Sequence, residues 1–111
     1  MKVAVPLVEG SLSMHFGHCD QFAVMEVDTA GIVSNREDLT PPAHEPGVLP
    51  AWLNSLGVTH IIAGGMGQRA QSLFSQSGIT VIVGAPFKSP EALAAACFEG
   101  TLVSGDNICD H

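Results

Sequence analysis

Val3-Ala4-Val5-Pro6-Leu7-Val8 is a nearly unbroken apolar run rich in β-branched residues. A strand of that composition has both faces covered, because a half-exposed strand would alternate apolar with polar positions. Two similar runs follow, Val58 to Ala63 and Ile79 to Val83. The segments preceding and separating these later runs read as helices. Val48, Leu49, Trp52, Leu53 and Leu56 recur at helical spacing and Gly57 closes the segment, while Ala70, Leu73 and Phe74 mark a second helix ending at Gly78. Ser89-Pro90-Glu91 starts a third, with Ser as N-cap and Pro at the first helical position. Covered strands joined through helices require right-handed crossovers, and so a parallel core.

Between the first two runs the pattern changes. Gln21 to Asp28 and Ile32 to Asp38 flank the turn-like Thr29-Ala30-Gly31, and Ala23, Met25 and Val27 alternate with more polar positions. That is a half-exposed hairpin, which extends the sheet antiparallel on one edge. Thr40 to Gly47 is a loop on its Pro content, and the residues from about 100 onward form a loose tail without periodicity. The expectation is one α/β domain over residues 1–111, with a five-stranded mixed sheet and three helices.

Composition removes several function classes. Eleven acids against four bases give a net charge of −7, so the chain repels a phosphate backbone and nucleic acid is excluded as a partner. No run reaches the length of a transmembrane helix, and the N-terminus lacks the pattern of a signal peptide; neither a membrane nor export is expected. Three cysteines, at 19, 97 and 109, are an odd number and suit a reducing cytosol.

In open α/β sheets ligands bind outside the carboxyl ends of the parallel strands. Three connections leave those ends: Glu9 to Cys19, Gly64-Gly65-Met66-Gly67, and Gly84 to Ser89. The first holds Ser11, Ser13, Met14, His15, Phe16, Gly17, His18 and Cys19, two imidazoles and a thiol within five residues, ligand types suited to copper, zinc and iron–sulfur species. No standard zinc spacing is present; in the plainer reading His15 and His18 hydrogen-bond loop backbone and Cys19 is a small buried hydrophobe. The second places glycines ahead of a helix beginning near Gly67, where backbone N–H groups unobstructed by Cβ atoms accept an anion. It has neither a dinucleotide fingerprint nor a Walker lysine. Met66 is either a core filler or a soft wall for a ligand. Arg69 and Lys88, two of only four bases, fall near this mouth and favour an anionic guest. In the tail, Cys109 and His111 form a Cys-x-His pair that could close over a metal, whereas Cys97 is spaced to be core and His60 to be structural.

The elements His15-Phe16-Gly17-His18-Cys19-x-x-Phe22 and Gly64-Gly65-Met66-Gly67-x-x-Ala70 resemble the dinitrogenase iron–molybdenum cofactor biosynthesis family. The opening Lys2-Val3-Ala4-Val5-Pro6 and the closing Asn107-x-Cys109-x-His111 are similar to it as well, so the likeness spans the chain. The resemblance implies a ribonuclease-H-like fold. It also implies an anionic metal–sulfur cluster as guest, of molybdenum–copper sulfide or iron–molybdenum/iron–sulfur type, since members carry iron–molybdenum cofactor or its precursors and the orange protein of sulfate reducers holds a molybdenum–copper sulfide cluster. It places the pocket at Ser13, His15, Phe16, Gly17 and Cys19 with Gly64 to Gly67. Expected partners are cluster donor and acceptor proteins, with a nucleotide-binding iron–sulfur carrier ATPase as a further candidate, and the chain is expected to be a monomer in the cytoplasm and not an enzyme. Three alternatives remain beside the carrier reading. One is a simple zinc or copper site at His15, His18, Cys19, Cys109 and His111. The second is a regulatory partner of such an ATPase. The third is a two-metal nuclease, disfavoured because the runs at Lys2 to Val8 and Val58 to Ala63 contain no carboxylate.

Overall fold

The structure, a computed structural model, describes residues 1–13, 19–42, 47–85 and 88–100. Its elements, in chain order, are β1 (Lys2–Val8), β2 (Ser11–Leu12), β3 (Gln21–Val27), β4 (Val33–Leu39), α1 (Val48–Ser55), β5 (His60–Ile62), α2 (Gln68–Gln76), β6 (Thr80–Ile82) and α3 (Pro90–Glu99). The sheet runs β4-β3-β1-β5-β6, with β2 paired to β1 beside that path. β1, β5 and β6 are parallel, and the β3–β4 hairpin extends the β1 edge antiparallel, as the apolar patterning implies.

The sheet has six strands rather than five. The missed strand is β2, which sits inside the stretch read as a loop. Glu9 and Gly10 form a two-residue connection in which both residues have positive φ, 51° and 83°. That geometry matches strand twist, so the chain turns back on β1 with Leu7 opposite Leu12 and Val8 opposite Ser11.

Both faces of the sheet are covered. On one, Ala4, Phe22, Val24 and Ile61 pack under Leu49 and Leu53 of α1 and Phe74 of α2. On the other, Val3, Val5, Leu7, Ala23, Met25 and Ile62 pack under Leu93 and Ala94 of α3. Each of β1, β3 and β5 alternates between the two clusters, as the two-residue strand period demands.

The helices on the first face end in the same way. At α1 the N–H of Gly57 donates to Asn54 O and that of Val58 to Leu53 O; at α2 the N–H of Gly78 donates to Ser75 O and that of Ile79 to Phe74 O. Gly57 and Gly78 sit in the left-handed region, φ 83° and 78°, which lets the chain reverse and drive a buried Val58 or Ile79 straight toward the next strand. α3 begins at the predicted signal, with Ser89 Oγ accepting from Ala92 N at 3.2 Å and Pro90 in its first turn.

Candidate functional site

Pro6 opens the site. The carbonyls of Lys2 and Pro6 lie on the same side of β1, that facing β5, because Lys2 O accepts from Thr59 N and Pro6 O from Ser13 N, each at 2.8 Å. The backbone nitrogen of Pro6 faces that side too, and it has no hydrogen to give. Pairing of β1 with β5 is confined to Val3 and Ala4, beyond which the two strands part and the β2 segment takes the space.

The first connection is tied at both ends to the carboxyl end of β1. Ser13 N donates to Pro6 O and Asp20 N to Leu7 O, each at 2.8 Å, so Ser13 and Asp20 are held by consecutive carbonyls of β1. Met14, His15, Phe16, Gly17 and His18 lie outside the described residues, as do Cys109 and His111. The other two connections are joined to each other: Gly84 N donates to Gly64 O at 2.9 Å and Ala85 N to Ala63 O at 3.2 Å. The described parts of all three loops therefore meet at one end of the sheet. Ser11 is exposed there and lines a cavity with Gly10, Arg36, Lys88 and Ser89, whereas Ser13 is buried.

The two helix N-termini at this end differ. At α3 donors are taken up locally: Pro90 has no N–H, Ala92 N–H donates to Ser89 Oγ at 3.2 Å, and Leu93 N donates to Ser89 O at 3.0 Å. At α2 the N-cap is Gly67, without a capping side chain, and the amides of Gly67, Arg69 and Ala70 have no hydrogen-bond partner among the described residues. Gly67 has φ −65° and open space around it, since an added Cβ would meet no atom within 4 Å.

The bases divide in the same way. Lys2 Nζ donates to Leu56 O at 2.6 Å. Arg36 is held by Asp38 at 2.8 Å and by Glu91 at 2.7 Å, and hydrogen bonding to these two carboxylates raises its guanidinium pKa while Arg36 lowers that of Glu91. Arg69 and Lys88 are exposed and have no partner among the described residues. The two unengaged bases thus stand at the ends of the Gly64–Gly67 turn and the loop entering α3.

Met66 and Cys19 point elsewhere. Met66 is fully buried in the cluster with Phe74 and Ile61, leaving its side chain no surface toward a guest. Cys19 belongs to the same cluster, 7% exposed. Burial first, and the Asp20 charge second, push its thiol up from 9.0 to about 11. Metal ligation needs a thiolate, so at neutral pH Cys19 is poorly prepared for it. Alkylation at pH 8 with peptide mapping should leave Cys19 unmodified in the folded protein and modified after denaturation; rapid labelling of the folded protein would contradict its burial. The sign for stability follows: a raised value favours the folded state below pH 9, and that contribution is lost as pH climbs toward about 11. Cys97 is half-buried and its thiol is raised by burial as well.

His60 is half-buried at the far end of the parallel strands, with Nδ1 2.8 Å from Thr59 Oγ1. The Thr59 hydroxyl already donates to Lys2 O, which leaves Nδ1 as the donor. Burial, and then the N-terminal ammonium, lower the His60 pKa. Among the described residues no three His, Cys, Asp or Glu side chains gather to hold a metal ion.

The profile of the dinitrogenase iron-molybdenum cofactor family matches residues 1–100. The chain belongs to that family. An uncharacterised relative from Methanocaldococcus jannaschii, MJ0580, is 37% identical over 86 residues, covering 73% of this chain and 72% of that one. Among solved structures, PH0822 is 28% identical, with a TM-score of 0.80 over 95% of this chain and 96% of its own. The apo form of the orange protein from Desulfovibrio gigas shares the fold at 20% identity, with a TM-score of 0.71 over 96% of this chain and 93% of its own. The Gly64–Gly67 element is the turn that enters α2. One contributor to that turn escaped sequence reading: Gln71, whose side-chain amide donates to Met66 O at 2.8 Å, five residues back, a spacing that carries no recognisable signal.

Proposed function

We propose that this member of the dinitrogenase-cofactor family binds an anionic metal–sulfur cluster, of molybdenum–copper sulfide or iron–molybdenum/iron–sulfur type, and carries or stores it for metallocofactor assembly. The observation that carries the reading is the α2 N-terminus, where the amides of Gly67, Arg69 and Ala70 lack partners among the described residues and the Arg69 side chain is unengaged. Amides at a helix start attract negative charge through the helix dipole, and hydrogen bonds to anionic sulfide are strengthened by that charge. Lys88 adds a second unengaged cation, and His15 on the first connection adds a donor suited to the same guest. A hold made mostly of backbone donors, with few side-chain ligands, permits release, which a carrier requires.

The same reading makes the protein a non-enzyme. β1 and β5 contain no acid, and nuclease chemistry on a sheet of this kind needs carboxylates there to hold two metals. The ribonuclease-H-like label, cytoplasmic residence, a monomeric state, and donor and acceptor proteins as partners, with a nucleotide-binding iron–sulfur carrier ATPase among the candidates, belong to this reading. On location the described residues say that no helix is long and apolar enough to cross a membrane.

Reconstitution tests it. Anaerobic addition of molybdate, copper and sulfide, or of iron and sulfide, should leave a coloured species bound after desalting. Protein that emerges colourless from both mixtures would sink the proposal. The variant Cys109→Ala/His111→Ala should load as well as the natural chain; loss of all metal in that variant would favour a closed His/Cys ligand site instead.

A further inference from the structure

Gln71 sits one turn into α2 and holds two successive carbonyls of the Gly64–Gly67 turn. Its backbone N–H donates to Gly67 O at 3.1 Å and its side-chain Nε2 to Met66 O at 2.8 Å. The second bond fixes the Met66–Gly67 peptide plane. In a planar trans peptide the carbonyl and the N–H point in opposite directions, and none of the peptide bonds is cis. With Met66 O turned to Gln71, the Gly67 N–H points to the other side of the turn, where it has no partner among the described residues.

Gly67 has no side chain to resist a flip of the preceding peptide, and the space around it is open. A flipped plane would withdraw the N–H and present the Met66 carbonyl dipole in its place, repelling an anion where the present orientation attracts one. Met66 itself is anchored by its buried side chain, so the rotation would be local to this one peptide.

We propose that Gln71 is a positioning residue for the anion site: its carboxamide locks the Met66–Gly67 peptide so that the Gly67 N–H faces the guest. This rests on the carrier reading for the identity of the guest, but the lock itself is a property of the empty protein.

The experiment uses the full chain and two variants, Gln71→Met, which keeps the side chain's length and removes the donor, and Gln71→Glu. A protonated carboxyl at this position donates to Met66 O and an ionised one repels it, so Gln71→Glu makes the lock pH-dependent. The first readout is the Gly67 amide resonance in 1H–15N spectra of the unloaded protein. It should be displaced in Gln71→Met. In Gln71→Glu it should move from near its natural position at acid pH to the displaced position above the titration of the introduced carboxyl. The natural chain should show no such titration. The second readout is retention of copper(I) with tetrathiomolybdate after desalting at pH 7.5, which should fall about three- to tenfold in Gln71→Met, the ratio an ordinary hydrogen bond commands. A Gly67 resonance that stays in place in both variants overturns the lock. Full retention by Gln71→Met, with the natural chain loaded, overturns its role at the site. If the natural chain retains nothing, the carrier reading fails, while the Gly67 resonance still decides the lock.

Discussion

Gly67→Pro should fold like the natural chain and lose about ten- to a hundredfold in its hold on the cluster. Proline fixes φ near −65°, the value Gly67 already adopts, and the Cβ position is open. What disappears is one N–H at the start of α2. A hydrogen bond to a charged group contributes about 1.5–3 kcal/mol, and each 1.4 kcal/mol is about tenfold in binding. Gly67→Ala is the matched control, because it retains the N–H and should load normally. Thermal melting should place both variants within about 1 kcal/mol of the natural protein, as expected for surface substitutions without strain. Equal loading by Gly67→Pro and Gly67→Ala would show that this amide does not face the guest.

Met66→Ala should carry the largest stability cost at the site, about 2–5 kcal/mol by urea unfolding, with Met66→Leu within about 1.5 kcal/mol. The thioether is fully buried with Phe74, Ile61 and Phe22 beneath the turn, so truncation leaves a cavity in the cluster that packs α1 and α2 onto the sheet. The prediction separates the two roles that the residue type alone leaves open. A core filler costs stability when removed and leaves loading intact in the fraction that folds. A soft wall for the guest would give a stable protein that no longer loads, and that outcome would contradict the burial.

Much of this fold could be read from local physics. The runs at Val3, Val58 and Ile79 read as parallel strands because consecutive apolar residues put side chains on both faces, and Ser89-Pro90 starts α3 because a hydroxyl cap and a preset φ leave little choice. β2 was missed because its signal is not hydrophobic: it is set by Glu9-Gly10, where a non-glycine residue accepts positive φ so that a two-residue turn can form. β5 and β6 are shorter than the apolar runs that contain them, spanning only His60–Ile62 and Thr80–Ile82. Apolar character runs on into Ala63 and Val83; Ala63 N still donates to Ile82 O at 2.9 Å, but regular pairing ends there, since β1 offers no donor at Pro6 and the return bond to Ala63 O comes from Ala85.

The site divides similarly. Topology alone brings the three connections to one end, and the bonds linking Ala63 to Ala85, Gly64 to Gly84, Ser13 to Pro6 and Asp20 to Leu7 place their described residues there. Residue type could not tell which cations are free. Lys2 and Arg36 look no different from Arg69 and Lys88 until Leu56 O, Asp38 and Glu91 are found around the first pair. Nor could it find Gln71, whose importance lies in one carbonyl held five residues back.

The claim that a guest is held by amides at the start of α2 meets its most direct test in protein isolated without air. Metal and acid-labile sulfide analysis, with a visible spectrum of the same sample, should show sulfide with molybdenum and copper, or with iron, together with sulfide-to-metal absorption bands. Protein isolated in this way with a metal but no sulfide, or with neither, would contradict it.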